Sequence, residues 1–322
     1  MEYRFKSPRW ASMFIVVSSI GLVQVTGCRS EGDRLTSNAL KSSSGESSAR
    51  IVCATESRSP KDLKNLNYGP TCSEVSAQYP VVLMAKPEEN KKVLCPFLRM
   101  IERTGVWKDE IKKNIAQLSA NNPYLPVTVK VLIEEALDFG CGESGCKPVA
   151  IGVSAGQQLQ SPDKIGDESI VDIGKLAQAR GTAHDCGYTF GLGETEVNPL
   201  RRAETLAMLK NRAKNHDQLT LNDLIEVKKT WCKRDYEEAK KTSLTRLKNK
   251  IDDANQTLVF SQADTVEFLL IWSFLGGVDR GFIRVVDVED FLHARLPAFK
   301  TKYLLDGAMQ SHLLSIIMGP KN

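Results

Sequence analysis

The sequence predicts a mainly α-helical domain, reached through a removable leader and a flexible tether. Three observations predict it. Apolar residues recur at helical spacing in segment after segment between residues 95 and 318. Helix-start and helix-stop residues bracket those segments. Runs that alternate apolar and polar residues are scarce. Hydrophobic content of 42% and charged content of 25% place the chain with globular proteins, not disordered ones. Its 322 residues allow one large domain or two small ones.

The N-terminus reads as an address. Residues 1–10 are basic and residues 11–26 are mostly apolar. That stretch is short and broken by Ser, which fits a signal h-region better than a transmembrane helix. Val25-Thr26-Gly27-Cys28 resembles the bacterial lipobox, which implies lipidation of Cys28 and removal of residues 1–27. Arg29 is not an Asp-type retention signal, so the expected location is the cell envelope, anchored to the outer membrane by lipid alone. Residues 28–50 are Ser-rich and read as a tether. Residues 51–322 form the predicted domain. The leader carries Arg4, Lys6 and Arg9 against Glu2, so its loss lowers the net charge from +4 to +2. Near neutrality argues against nucleic acid as a partner.

The elements follow in order. Cys95-Pro96 opens a helix that Gly105 ends, because Pro suits the first turn and Gly the exit. Residues 109–120 begin with acids and place Ile111, Ile115 and Leu118 on one side. Pro126 starts a helix through Leu137, and residues 140–167 are Gly-rich and read as loop, partly extended. Pro199 begins a helix with Leu200, Leu206 and Leu209 on its apolar side. Asn222 caps a charged helix of about seven turns to Lys250, with a solvated face and with Trp231 and Tyr236 anchoring it. Residues 264–275 are apolar all round, hence buried. Asp287 caps a helix to Arg295, and a last helix runs from Tyr303 to Met318.

Cysteines occur at 28, 53, 72, 95, 141, 146, 186 and 232. Export puts them in an oxidising compartment, and lipidation of Cys28 leaves an odd number. Cys141/Cys146, Cys53/Cys72 and Cys186/Cys232 are plausible pairs, but connectivity stays open at this level. Three disulfides leave one thiol over. With four His and no finger-type spacing, structural zinc is not indicated. The chain has no P-loop, no GxGxxG after a strand and no GxSxG.

Three separated segments carry a resemblance. They are Leu94-Cys95-Pro96-Phe97-Leu98-Arg99-Met100-Ile101-Glu102-Arg103-Thr104-Gly105; residues 169–176 running to Ala183-His184-Asp185; and Thr265-Val266-Glu267-Phe268-Leu269-Leu270, followed by residues 283–287 and Leu296-Pro297. In this order they resemble the fungal chloroperoxidase and unspecific peroxygenase family of haem-thiolate enzymes, over roughly residues 93–298. The resemblance implies a single chloroperoxidase-like helical domain and haem b held by a thiolate. It implies a peroxidase or peroxygenase that uses hydrogen peroxide to oxidise a small organic molecule or a halide. The Cys141/Cys146 pair falls where that family has a small disulfide loop.

Residue by residue, the resemblance makes Cys95 the axial ligand of the haem iron. The chemistry is apt: a helix N-terminus lowers a thiol pKa, and a thiolate ligand favours O–O cleavage. Glu267 matches the acid–base residue, and its apolar surroundings are expected to desolvate it and raise its pKa. His184 matches the chloroperoxidase His that orients the Glu. The peroxygenase branch instead uses an Arg, at the position of Phe260 here. Ala183 and Gly187 stand where the family holds a divalent cation beside the haem, so that cation is not carried over. These departures also motivate a rival from another class: a non-catalytic lipoprotein that keeps the fold without haem, as an envelope binding or structural protein.

Overall fold

In the computed structural model, the residues described are 74–75, 88–118, 122–160, 163, 165–179, 186–215, 217–241, 251–252, 257–258, 262–296 and 303–318. All belong to one unit, residues 48–322. The class is mainly α, as predicted. Cys28, the tether, Cys53, Cys72, Phe260, Ala183, His184 and Asp185 lie outside the described residues. No helix among the described residues is long and apolar enough to cross a membrane.

The first helix, α1 (Pro96–Thr104), has Pro at its first position and Gly105 at its exit, with φ +80°. The Gly105 N–H closes the last turn on the Glu102 carbonyl. This is the stop that the sequence predicts. Helix α2 (Lys108–Gln117) follows, with Asp109 and Glu110 at its positive end. Its predicted apolar side is corrected: Ile115 is 42% exposed, whereas Asn114 is buried. The Asn114 amide donates to Glu110 at 2.8 Å and to the Pro126 carbonyl at 3.1 Å, so burial costs it no hydrogen bond.

Pro126 does not start a helix. Pro126–Thr128 is a strand, β1, paired antiparallel with β2 (Ile170–Asp172), Val127 facing Val171. Helix α3 (Val129–Asp138) begins afterwards, capped by Thr128, whose Oγ1 accepts from Val131 N–H. The buried Asp172 accepts from the N–H groups of Tyr124, Leu125 and Gly174, which fixes β2 and the 3-10 turn Ile173–Gln178.

The predicted loop at 140–167 is also corrected. Most of it is helix α4 (Glu143–Gln157). Gly145 serves packing rather than a turn: a Cβ there would lie 2.0 Å from the Leu305 carbonyl oxygen. A short side chain is therefore excluded where α4 meets the chain leading into α10. The Cys141–Cys146 disulfide closes the start of α4.

Helix α5 (Pro199–Arg212) is capped by Asn198, which accepts from the N–H groups of Leu200 and Arg201. Leu206 and Leu209 are buried as predicted, but Leu200 is 81% exposed and leaves the apolar side. Strand β3 (Gln218–Leu219) leads into α6 (Leu221–Lys241). The helix is capped not by Asn222 but by Thr220, whose Oγ1 accepts from Asp223 N–H while Asp223 accepts from Thr220 N–H. Residues 242–250 of the predicted helix lie outside the described residues. Trp231 and Tyr236 are buried anchors, as expected.

After the short pair β4 (Ile251–Asp252) and β5 (Thr257–Leu258) comes α7 (Gln262–Phe274). Phe268, Leu269, Leu270 and Ile271 are all buried, each contributing roughly 1.5–3 kcal/mol of transfer free energy. One turn, α8 (Gly277–Arg280), and β6 (Ile283–Arg284), paired with β3, precede α9 (Val285–Leu292). Asp287 lies in the first turn of α9 and is buried rather than capping, because Arg284 occupies the cap position. The chain ends in α10 (Gly307–Met318).

Candidate active site

Cys95 is the residue before α1, in extended conformation, so its side chain sits at the positive end of that helix. The Phe97 and Leu98 N–H groups donate toward its sulfur. Cys186 and Cys232 are disulfide-bonded, as are Cys141 and Cys146. Among the described residues, Cys95 is the free cysteine. That thiol is the one at the helix start; Cys28, Cys53 and Cys72 lie outside the described residues.

The segment just before it is held by a buried cation. Arg99 is fully buried; it donates to the Val93 carbonyl at 2.7 Å, the Leu94 carbonyl at 3.1 Å and the Leu292 carbonyl at 2.9 Å. Its Nε lies 3.1 Å from Glu89 Oε2, and Glu89 Oε1 pairs with Arg202 at 2.5 Å. One guanidinium therefore fixes residues 93 and 94 against α9, and so places Cys95.

Cys95 opens onto an apolar cavity of about 120 Å3. The lining brings together α1 (Phe97, Leu98), α4 (Val149, Val153), Phe190, α7 (Leu270) and other apolar neighbours. Glu267 lines the same cavity, from a helix about 170 residues further along the chain. That is below the ~300–1,000 Å3 usual for ligand and cofactor pockets, so the lining has to open to admit a large ligand. The structure thus brings Cys95 and Glu267 to one cavity; it does not describe His184.

The sequence expectation for the thiol is corrected. Burial pushes Cys95 up to about 11, against the lowering by the Leu98 and Phe97 N–H groups and by Arg99; the nearby Glu267 charge raises it further. Desolvation outweighs the helix end. Cofactor-free protein should therefore resist thiol alkylation at neutral pH, with the rate rising as pH approaches 11. The sign for stability follows: an ionising group raised in the fold contributes below its unfolded pKa and loses that contribution as pH climbs from about 9 to about 11. A Cys95 alkylation profile centred below pH 9 would contradict this.

Glu267 is 8% exposed, as the sequence suggested, but it is not a lone carboxylate. Its Oε2 accepts from Lys228 Nζ at 2.5 Å, and its Oε1 lies 3.5 Å from Tyr188 N–H. Lys228 is fully buried and also lies 3.2 Å from Asp264 Oδ1. Sequence reading missed Lys228 because α6 was taken as a solvated charged helix. The signal was present: Lys228 sits on the stripe of Leu221, Leu224, Ile225, Trp231 and Cys232, at helical spacing.

The surroundings of this pair are tied down. Tyr188 donates its hydroxyl to the Leu224 carbonyl at 2.8 Å, and its own carbonyl accepts from Thr205 at 2.6 Å. Arg201 forks onto Asp235 at 2.8 and 2.9 Å, donates to the Gly187 carbonyl and lies over the Trp231 ring. The Cys186–Cys232 disulfide joins the 186–191 segment to α6, one turn from Lys228.

Two metal arrangements fail on inspection. A Cβ on Gly187 would lie 2.4 Å from the Phe190 ring, so that position has neither a ligand nor room for one. The ligand atoms of Cys186, Cys232 and Asp264 lie within 4.8 Å of one another, yet both sulfurs belong to the disulfide and Lys228 already neutralises Asp264. No protein-family model matches the chain, and neither a curated protein nor a solved structure matches it.

Proposed function

We propose that this chain is a haem-thiolate peroxidase or peroxygenase, using hydrogen peroxide to oxidise or oxygenate small organic molecules, a halide being a further candidate substrate. The observation that carries the reading is that the free thiol of Cys95 and the buried carboxylate of Glu267 meet at one apolar cavity. Their resemblance to the haem-thiolate family came from separate segments; the shared cavity is a second, independent reason to join them.

The groups present suit thiolate-ligated haem b in kind, but the cavity of about 120 Å3 would have to open to take the macrocycle. The free sulfur has backbone N–H groups turned toward it, the lining is apolar, and a carboxylate stands on the same cavity. Bound there, haem would supply the iron at which peroxide is split and the oxidising equivalents passed to substrate. Cys95 Sγ would hold it. A protonated thiol with a pKa near 11 is no obstacle, because a coordinating thiol is deprotonated by the cation itself. Glu267 would take a proton from incoming peroxide and return one to the departing water. Leu270, Phe190 and their apolar neighbours exclude bulk water. The divalent cation of the family does not fit at Gly187, and no role is given to one. Anchoring through lipidated Cys28 would place the enzyme at the envelope face of a bacterial membrane, with peroxide and a small molecule as its partners and no nucleic acid.

The rival, a haem-free envelope lipoprotein that binds an apolar molecule, is favoured by one observation. Burial keeps the thiol protonated, so without a metal the cavity is simply apolar. Expression with haem supplementation separates the two. The enzyme reading expects close to one haem per purified chain; folded, colourless protein would favour the rival.

A further inference from the structure

Lys228 is the one feature near the cavity that neither composition nor resemblance explains. Its ammonium bridges two carboxylates of α7, Glu267 at 2.5 Å and Asp264 at 3.2 Å, which are three residues apart on the same helix. Both Lys228 and Asp264 are fully buried. Burying a cation is expensive unless it is paired, so a lysine on an otherwise apolar stripe needs a purpose. Here the bridge fixes one oxygen of Glu267 on the side away from solvent, while Glu267 still lines the cavity.

We infer that Lys228 is the positioning residue of Glu267: it holds one carboxylate oxygen and so orients the group at the cavity wall, the part the resemblance gave to His184. The inference rests on the enzyme reading for its consequence but not for its test. Among the described residues, the groups facing Glu267 include Lys228 from α6, Asp264 from α7, Tyr188 from the 186–191 segment and Cys95 from α1. Asp235, further along α6, is held by Arg201. Lys228 is itself steadied by the Cys186–Cys232 disulfide four residues on, whose Cys186 sulfur lies 3.6 Å from Asp264 Oδ1.

The first readout uses haem-free protein. Infrared spectra, with Glu267→Gln to assign the bands, follow the carboxyl group of Glu267. In Lys228→Met those bands should shift, because the hydrogen bond to one of its oxygens is gone. If Lys228→Met does not fold, Lys228→Met/Asp264→Asn set against Asp264→Asn alone gives the same comparison. Unchanged bands in the folded variant overturn the inference whatever haem does. In haem-loaded protein, Lys228→Met should keep the Soret band and KM while kcat falls roughly tenfold to a hundredfold, with partial recovery in Lys228→Arg. A haem spectrum with wild-type kcat in Lys228→Met sinks the role of Lys228 and spares the enzyme reading. Shifted carboxyl bands in protein that takes up no haem do the reverse.

Discussion

Glu267→Gln is expected to reduce peroxide turnover by about a hundredfold to ten-thousandfold, the usual contribution of a positioned acid–base group, while leaving haem content and the Soret band unchanged. The amide is nearly the same size and still accepts a hydrogen bond from Lys228, but it cannot take and return a proton. The substitution leaves Lys228 with Asp264 alone, still a paired cation. Loss of stability should therefore be small beside the loss of turnover, and the two are read separately, by urea unfolding and by initial rates. Turnover within threefold of the wild type would remove Glu267 from the mechanism and leave the cavity without an acid–base residue.

The second large effect is on the fold. Arg99→Met should destabilise the protein by about 3–5 kcal/mol, the range for breaking a buried, paired charge. The methionine fills much of the volume, but the Val93 and Leu94 carbonyls lose the donor from Arg99, the Leu292 carbonyl keeps only a long bond from Arg202 at 3.3 Å, and Glu89 keeps only Arg202. Because residues 93 and 94 lead directly into Cys95, the thiol should also become reactive to alkylating reagents well below pH 11. Arg99→Lys should rescue little, since one ammonium cannot reach these spread acceptors as the guanidinium fork does. A urea midpoint unchanged in Arg99→Met would show that the network is not what holds the start of α1.

Much of the helical framework was legible because its signals are local. Pro96 and Gly105 mark α1 from outside, Asn198-Pro199 opens α5, and the unbroken apolar run of α7 permits only burial. What was illegible depends on partners distant in sequence. Pro126 carries the same helix-start signal as Pro199, yet β1 forms because Val127 pairs with Val171. The glycines of α4 look like loop until Leu305 is seen lying against Gly145. Ile115 and Leu200 have apolar side chains at helical spacing and still face outward, while Asn114 goes in because Pro126 offers a carbonyl.

The site shows the same division. Cys95 stood out by its place before Pro96, and among the described cysteines it is the one left free beside Cys186–Cys232 and Cys141–Cys146. The thiol's direction of shift was read wrongly, since the helix end is visible in sequence and the depth of burial is not. Lys228 was hidden by its company: a lysine among many on a charged helix, distinguished only by lying on the apolar stripe.

The most direct measurement is the absorption spectrum of the soluble chain beginning at Ser30, reduced and exposed to carbon monoxide, beside the same spectrum of Cys95→Ala. A thiolate-ligated haem gives a strongly red-shifted Soret band, and that band should be absent in Cys95→Ala. A haem band without the shift, or a shifted band that survives the substitution, would contradict ligation by Cys95; protein that folds and takes up no haem at all would contradict the enzyme.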